Sequence, residues 1–193
     1  SYVNLYFNNV GKYNTYNTGL TCCLYISGTI TDGTVNVVNN ILSMTGGGDA
    51  QTAVYFFSTN NRADIGVSNY NNYYAPSPSS IAYSSGDLDL VGYQSLLLND
   101  ANSININPEF TSPTDLHTAA VGLLGAGTTI AGITTDIDGD TRATPPAIGA
   151  DENGTPITGI NENENSAKIY ATSNNSIVVE NASLQDGTGT LQI

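Results

Sequence analysis

Asp136, Asp138 and Asp140 alternate around Gly139, a spacing at which a tight loop turns three carboxylates onto one hard cation, as the opening positions of a calcium loop do. The twelfth position counted from Asp136 is Ala147 rather than a glutamate, which excludes a hand-type loop. A calcium ion here would need further ligands from Asp151, Glu152 or backbone carbonyls. The competing reading of the same residues is a turn in which aspartate side chains bond backbone amides and Arg142. His117 is the sole histidine, and no G-x-S-x-G phrase occurs anywhere in the chain. A multi-histidine metal site is therefore ruled out, and a hydrolase triad built on His117 has no nucleophile elbow.

Tyr70, Tyr73, Tyr74 and Tyr83 form a second group of interest. Sugar C–H faces stack on aromatic rings and the neighbouring asparagine amides bond hydroxyls, so these four are a candidate glycan platform; the alternative is tyrosines packed along the outside of a sheet. Acid–base chemistry on polysaccharides needs paired carboxylates, or a cation beside a calcium-bound uronate. Asp32, Asp49 and Asp64 show no spacing that pairs two carboxylates on one face, and Lys12 and Arg62 are the only cations of the first half. No catalytic residue is assigned, and calcium is the one cofactor in question.

The elements that would hold these residues are short strands. Val3-Asn-Leu-Tyr-Phe-Asn-Asn-Val10, Val35-Asn-Val-Val-Asn-Asn-Ile-Leu42, Ala53-Val-Tyr-Phe-Phe-Ser58 and Ile65-Gly-Val-Ser-Asn-Tyr70 recur with aliphatic and aromatic residues to face inward and asparagine at the corners. Asparagine tolerates left-handed backbone and bonds adjacent turns, so the expected fold is all-β, a parallel β-helix (solenoid). The strand phrases recur at about 12–18 residues, with no helical period. A chain of 193 residues with 20 Gly, 7 Pro and 24 Asn but only 4 Lys plus Arg has no material for charged amphipathic helices. Residues 68–86, with two close prolines, read as an excursion, Asp87–Asn99 as a short leucine-rich helix over an open end, and Thr129–Thr134 as a further strand.

The net charge of −13 is concentrated beyond residue 85, which disfavours nucleic acid and anionic lipid as partners. No segment reaches the ~20 apolar residues of a membrane helix. Cys22 and Cys23 are adjacent and provide no disulfide framework; one buried and one outward thiol is the expectation. Ser1 opens directly in strand-like sequence without a leader pattern. A β-helix entered in mid-coil exposes a sheet edge that another chain or further coils must cover. Sequons at Asn153, Asn174 and Asn181 match by chance readily in so asparagine-rich a chain.

The run Asp100-Ala-Asn-Ser-Ile-Asn-Ile-Asn-Pro-Glu-Phe-Thr-Ser-Pro-Thr-Asp-Leu-His117, with Gly125-Ala-Gly127, Thr135-Asp-Ile-Asp-Gly-Asp-Thr-Arg142 and Ile148-Gly-Ala-Asp-Glu152, resembles the closing coils of secreted bacterial right-handed parallel β-helix proteins. With the "VNNIL" and "SNYNNYY" phrases, the similarity covers roughly residues 35–152. It implies a structural, hydrogen-bonded role for His117. Ala167-Lys-Ile-Tyr170 and Ser176-Ile-Val-Val-Glu-Asn-Ala182 resemble the opening of the β-sandwich sorting domain of type IX secretion cargo, although Tyr170-Ala-Thr-Ser stands in place of the usual "YPNP". The expected organisation is then residues 1–152 as β-helix coils with their closing segment and residues 153–193 as linker and strand tail, on an exported, extracellular or cell-surface protein.

Two classes of function remain. The first is a non-catalytic structural or adhesive rod, assembling end to end into a fibre or by donation of the strand-like tail Ser176–Ile193 to a neighbour. The second is the carboxy-terminal part of a secreted polysaccharide lyase or glycoside hydrolase, or a glycan-binding module that engages a surface polysaccharide.

Overall fold

The asparagine phrases each break into two strands at one residue. Phe7, Asn39 and Tyr70 take φ of 54°, 59° and 55°, a left-handed conformation that is uncommon for an aromatic and turns the chain sharply. On either side lie β1 (Val3–Tyr6) and β2 (Asn9–Lys12), then β4 (Val35–Val38) and β5 (Ile41–Met44), then β7 (Ile65–Asn69) and β8 (Asn72–Tyr74). β3 (Leu20–Ile26), β6 (Ala50–Phe56) and β9 (Ala82–Tyr83) follow each pair in turn. The computed structural model describes residues 2–13, 20–27, 31–45, 50–75, 80–152, 168–171, 176–180 and 189–192. Gly46–Gly48, Pro76, Pro78 and the sequons at Asn153, Asn174 and Asn181 lie outside the described residues.

The described chain is mostly β, with parallel sheets. Each sheet takes every third strand: β1-β4-β7, β2-β5-β8 and β3-β6-β9. Val3 lies opposite Val35 and Val35 opposite Ile65; Asn9 lies opposite Ile41 and Ile41 opposite Asn72. β1, β2 and β3 are the outer strands of their sheets at one end. At the other, β10 (Asp87–Leu88) pairs antiparallel with β9. Residues 68–74, expected as part of an excursion, instead finish β7 and supply β8, because their alternation continues the two sheets before them.

The residue after each left-handed corner builds a ladder. Asn8 N–H donates to Asn40 Oδ1 (3.0 Å), Asn40 N–H to Asn71 Oδ1 (2.9 Å) and Asn71 N–H to Ser103 Oγ (2.8 Å), over separations of 32, 31 and 32 residues. The amide groups also bond carbonyls within the corner, Asn40 Nδ2 to Leu5 O and Asn71 Nδ2 to Val37 O, both at 2.8 Å. A strand-to-strand turn would otherwise bury unpaired peptide groups; the asparagines satisfy them from inside.

Between the sheets lies an apolar core that includes Val37, Leu42, Met44, Val54, Phe56 and Ile81. α1 (Leu90–Leu97) packs on it through Leu90, Leu96 and Leu97 and buries Tyr93, as the leucine-rich segment predicts. Asp89 caps the helix, accepting from Gly92 N–H at 2.7 Å. Asp100, fully buried after the helix, accepts from Ser103 Oγ. Burial pushes its carboxyl up to about 6, against the hydrogen bond from Ser103 and the nearby polar groups of Tyr73, Ser68 and Asn71, which favour the charged form. The folded state therefore holds this proton more tightly than the unfolded chain, so Asp100 removes stability as pH rises from about 4 to about 6. Asp100→Asn is expected to abolish that part of the slope, a difference of up to about 3 kcal/mol above pH 6, read from urea midpoints of both proteins across that range.

Residues beyond α1 form a closing segment with a second small core of Ile41, Ala120, Leu123 and Ile148. It contains the hairpin of β11 (Phe110–Ser112) and β12 (Asp115–Thr118). Three asparagine side chains fasten it by imitating a strand partner. Asn39 accepts from Thr128 N–H (2.9 Å) and donates to Thr128 O (2.7 Å). Asn72 does the same to Ile106 at 2.9 Å each way. Asn9 donates to Leu116 O (2.8 Å) and accepts from Ala150 N–H (2.9 Å). Gly149, at φ 108°, lies so close that a Cβ there would stand 2.5 Å from Asn9 Oδ1. Thr129–Thr134 forms no strand: Ile133 N–H turns back to Ile130 O, and Gly132 takes φ 87°.

Residues Ser1–Pro156 and Ile157–Ile193 are separate compact units. In the second, β13 (Lys168–Ala171), β14 (Ser176–Glu180) and β15 (Gly189–Gln192) form an antiparallel sheet in that order. The tail segments considered as a donated strand are thus paired with one another. No helix among the described residues is long and apolar enough to cross a membrane.

Candidate functional site

The acidic loop is closed by an antiparallel bridge between Thr135 and Thr141. Asp136 Oδ1 accepts from Asp138 N–H (3.0 Å) and Asp140 N–H (2.8 Å), and its Oδ2 from Glu152 N–H (2.9 Å). Gly139 turns the tip at φ 91°. Burial pushes the Asp136 carboxyl up, but the amides of Glu152, Asp140 and Asp138, with Arg142 nearby, outweigh it and hold the group below the ordinary carboxylate range. Both Asp136 oxygens are thereby committed to backbone. Asp136, Asp138 and Asp140 do not converge on one point: Asp138 reaches away from the loop to His117.

His117 stands on β12 between two carboxylates. Its Nδ1 contacts Asp115 Oδ1 and its Nε2 lies 2.8 Å from Asp138 Oδ2. The hydrogen bond to Asp115, then that to Asp138, raises the imidazole to about 9, and the same contact holds Asp115 below its usual range. Asp151 completes the group. One ligand atom each from His117, Asp138 and Asp151 lies within 4.8 Å of the others. Asp151 is 5% exposed and its Oδ2 is buried without a hydrogen-bond partner; burial is the main cause that pushes its carboxyl up. Sequence reading offered Asp151 only as an outside ligand for the aspartate loop. The arrangement with His117 depends on the closing segment folding back, which leaves no local signal.

His117 and Asp151 sit on the rim of a cavity of about 560 Å³ lined chiefly by Leu5, Phe7, Val10, Leu24 and Leu42. Leu5, Phe7, Val10 and Leu24 belong to the end where β1, β2 and β3 are outermost, Leu42 lies on β5 behind them, and Leu116, Ile137 and Ala150 of the closing segment complete the wall. Cys23 also lines it, its Sγ 3.3 Å from Met44 Sδ. Burial, then the adjacent Cys22, pushes its thiol to about 12, so it is a poor nucleophile at neutral pH.

Beneath the acidic loop, Arg142 and Glu152 form a buried ion pair, Nη1 to Oε1 3.0 Å with both side chains 6% exposed. Arg142 further donates to Thr135 O, Gly149 O and Ala150 O, and its guanidinium lies 3.7 Å from the centroid of the Phe7 ring. Glu152 accepts from the N–H groups of Ala143 and Ala147. The pair pins the closing segment over the first corner.

The four tyrosines of the sequence-predicted platform are dispersed. Tyr73 is fully buried, edge-on to Tyr93, with its hydroxyl bonded to Ser68 and Asn71; the alternation of β8 turns it inward. Tyr70 occupies a left-handed corner and Tyr74 is half-buried. Tyr83 instead joins Tyr55 and Tyr25 in a stack along the third sheet, with centroids 4.9 and 5.4 Å apart and planes inclined by 4° and 6°. Phe57, 67% exposed, leans on Tyr25. The in-register repeat of β3, β6 and β9 was the signal that would have added Tyr25 and Tyr55. Parallel stacking spends the ring faces on one another and leaves edges and hydroxyls outward.

Compared with protein-family models, curated proteins and solved structures, the chain matches none.

Proposed function

We propose that residues 1–152 wind as a right-handed parallel β-helix and that the protein is a non-catalytic structural or adhesive component of the cell exterior, self-associating through the β1–β2–β3 end. The hand follows from the strong preference of parallel crossover connections for the right-handed path. The observation that carries the reading is the state of that end. The asparagine ladder, the tyrosine stack and three sheet edges all run to it, and an apolar cavity opens between them. Unpaired edges with exposed core surface are what a second strand-bearing copy would cover. α1 covers the opposite end of the same sheets, while the closing segment runs back along them to Asn9 and Phe7 and borders the cavity without pairing with the β1, β2 and β3 edges. Pairing of like ends is the geometry to expect, with dimers as the first product.

Light scattering and electron microscopy of the purified chain over a range of concentrations test this. Dimers that disappear on Leu24→Asp support it, whereas filaments would require unlike ends to pair. A monodisperse monomer at the highest concentration, with the end still open to added solute, rejects it.

A glycan-binding reading draws on one feature, the outward face of Tyr25, 47% exposed, beside Phe57. Saturable binding to a polysaccharide panel, lost in Tyr25→Ala, would favour it over self-association. Release of unsaturated or reducing ends from that panel would favour the degradative class instead.

A further inference from the structure

We propose that His117, Asp138 and Asp151 form a binding site for one divalent transition-metal ion, zinc by donor preference, at the rim of the apolar cavity. The site borders the same cavity as the self-association surface above, but its donors come from the closing segment and it does not rest on that reading. It also differs from a calcium site built on Asp136, Asp138 and Asp140, since both Asp136 oxygens accept backbone N–H groups within the turn and Asp138 is grouped with His117 and Asp151 instead.

The first support is position: one nitrogen and two carboxylate oxygens from three residues lie mutually within 4.8 Å. Zinc bonds such atoms at about 2.0–2.2 Å in a tetrahedron, so a small contraction around the ion brings all three into place. Asp138 is on an exposed loop tip and can make that movement. The second support is the orphaned oxygen of Asp151. A buried carboxylate oxygen without a donor is costly, and a cation on this group supplies the missing partner. The third is orientation. Asp115 engages Nδ1, which fixes the ring and turns Nε2 toward Asp138, where a metal would replace the proton now shared between Nε2 and Asp138 Oδ2, the carboxylate–histidine arrangement that zinc sites use.

The donor set also chooses the ion. Calcium requires six to eight oxygens and magnesium a near-regular octahedron; one imidazole with two carboxylates satisfies neither. Three protein ligands leave a tetrahedral zinc its fourth position. Because His117 and Asp151 both border the cavity, that position would be filled by a water or by a ligand atom entering from it.

The test uses the full chain, stripped of metal by chelator dialysis, titrated with Co²⁺ as a visible-absorption probe and then with Zn²⁺. One saturable Co²⁺ per chain, displaced by Zn²⁺ and retained in a hundredfold excess of Ca²⁺, is expected. His117→Ala and Asp151→Asn should each weaken binding at least tenfold, and Asp115→Asn by about 10- to 100-fold as a positioning residue. Asp140→Asn should leave the affinity unchanged. Circular dichroism verifies each variant's fold; if Asp151→Asn fails to fold, the half-exposed His117 decides alone. No saturable Co²⁺ absorption overturns the proposal. So does an affinity indifferent to His117→Ala, or lowered by Asp140→Asn alone, which would assign the ion to the acidic loop.

Discussion

Asn71→Ala is expected to lower stability by about 4 kcal/mol, since each buried polar group left without a partner costs about 1–3 kcal/mol. Asn71 is fully buried in mid-ladder. Its Oδ1 accepts both the backbone N–H and the Nδ2 of Asn40, and its Nδ2 donates to Val37 O and Tyr73 Oη. Alanine removes these bonds and a longer one to Ser68 Oγ, and leaves the Asn40 N–H and Val37 carbonyl in a buried corner that water cannot reach. Asn71→Asp is the more informative companion. It retains an acceptor for Asn40 but offers no donor to Val37, and it puts a carboxylate near the buried Asp100. A urea midpoint reduced by Asn71→Ala but nearly unchanged by the equivalent substitution at the exposed Asn8 would establish that burial, rather than the asparagine repeat as such, sets the size of the effect. Equal losses at both positions would refute this.

Arg142→Ala should cost about 3–5 kcal/mol, the range for removing one partner of a buried ion pair. The loss arises chiefly from what is stranded: Glu152 keeps a buried carboxylate with only two N–H donors, and three carbonyls lose their guanidinium. Arg142→Lys should recover only part, because an ammonium cannot bridge Glu152, Gly149 and Ala150 in one plane while covering Phe7. The double variant Arg142→Met, Glu152→Gln is expected to lose less than Arg142→Ala alone, since no charge remains unpaired. Thermal denaturation of the three proteins checks that order. If the double variant is the least stable, the pair is valued for attraction and not for mutual neutralisation.

The strand phrases and their asparagine corners were legible in the sequence because Val35–Leu42 and its neighbours repeat an inward-facing pattern with a polar interruption. The exact hinge was not. Phe7 and Tyr70 adopt the left-handed conformation although nothing local favours it in an aromatic; only their alignment with Asn39 across the sheets reveals it. Thr129–Thr134 has strand-like composition, yet Gly132 turns it and the Asn39 side chain takes the adjacent Thr128 peptide. Asp136, Asp138 and Asp140 were visible as a loop, whereas the partnership of Asp138 with His117 and Asp151 depends on tertiary folding. Tyr73 illustrates the limit from the other side: an aromatic beside prolines and asparagines looks exposed until strand alternation assigns it to the core.

Asn9 has a consequence for the order in which the molecule is made. Its amide joins the second strand to Leu116 and Ala150, over 107 and 141 residues of chain. On the ribosome, the first strands emerge long before the groups that complete their hydrogen bonding. These contacts have high sequence separation, and topologies rich in them fold slowly. β2 must wait, incompletely satisfied, for segments of its own unit made 107 and 141 residues later, which is when a binding chaperone would have most to hold.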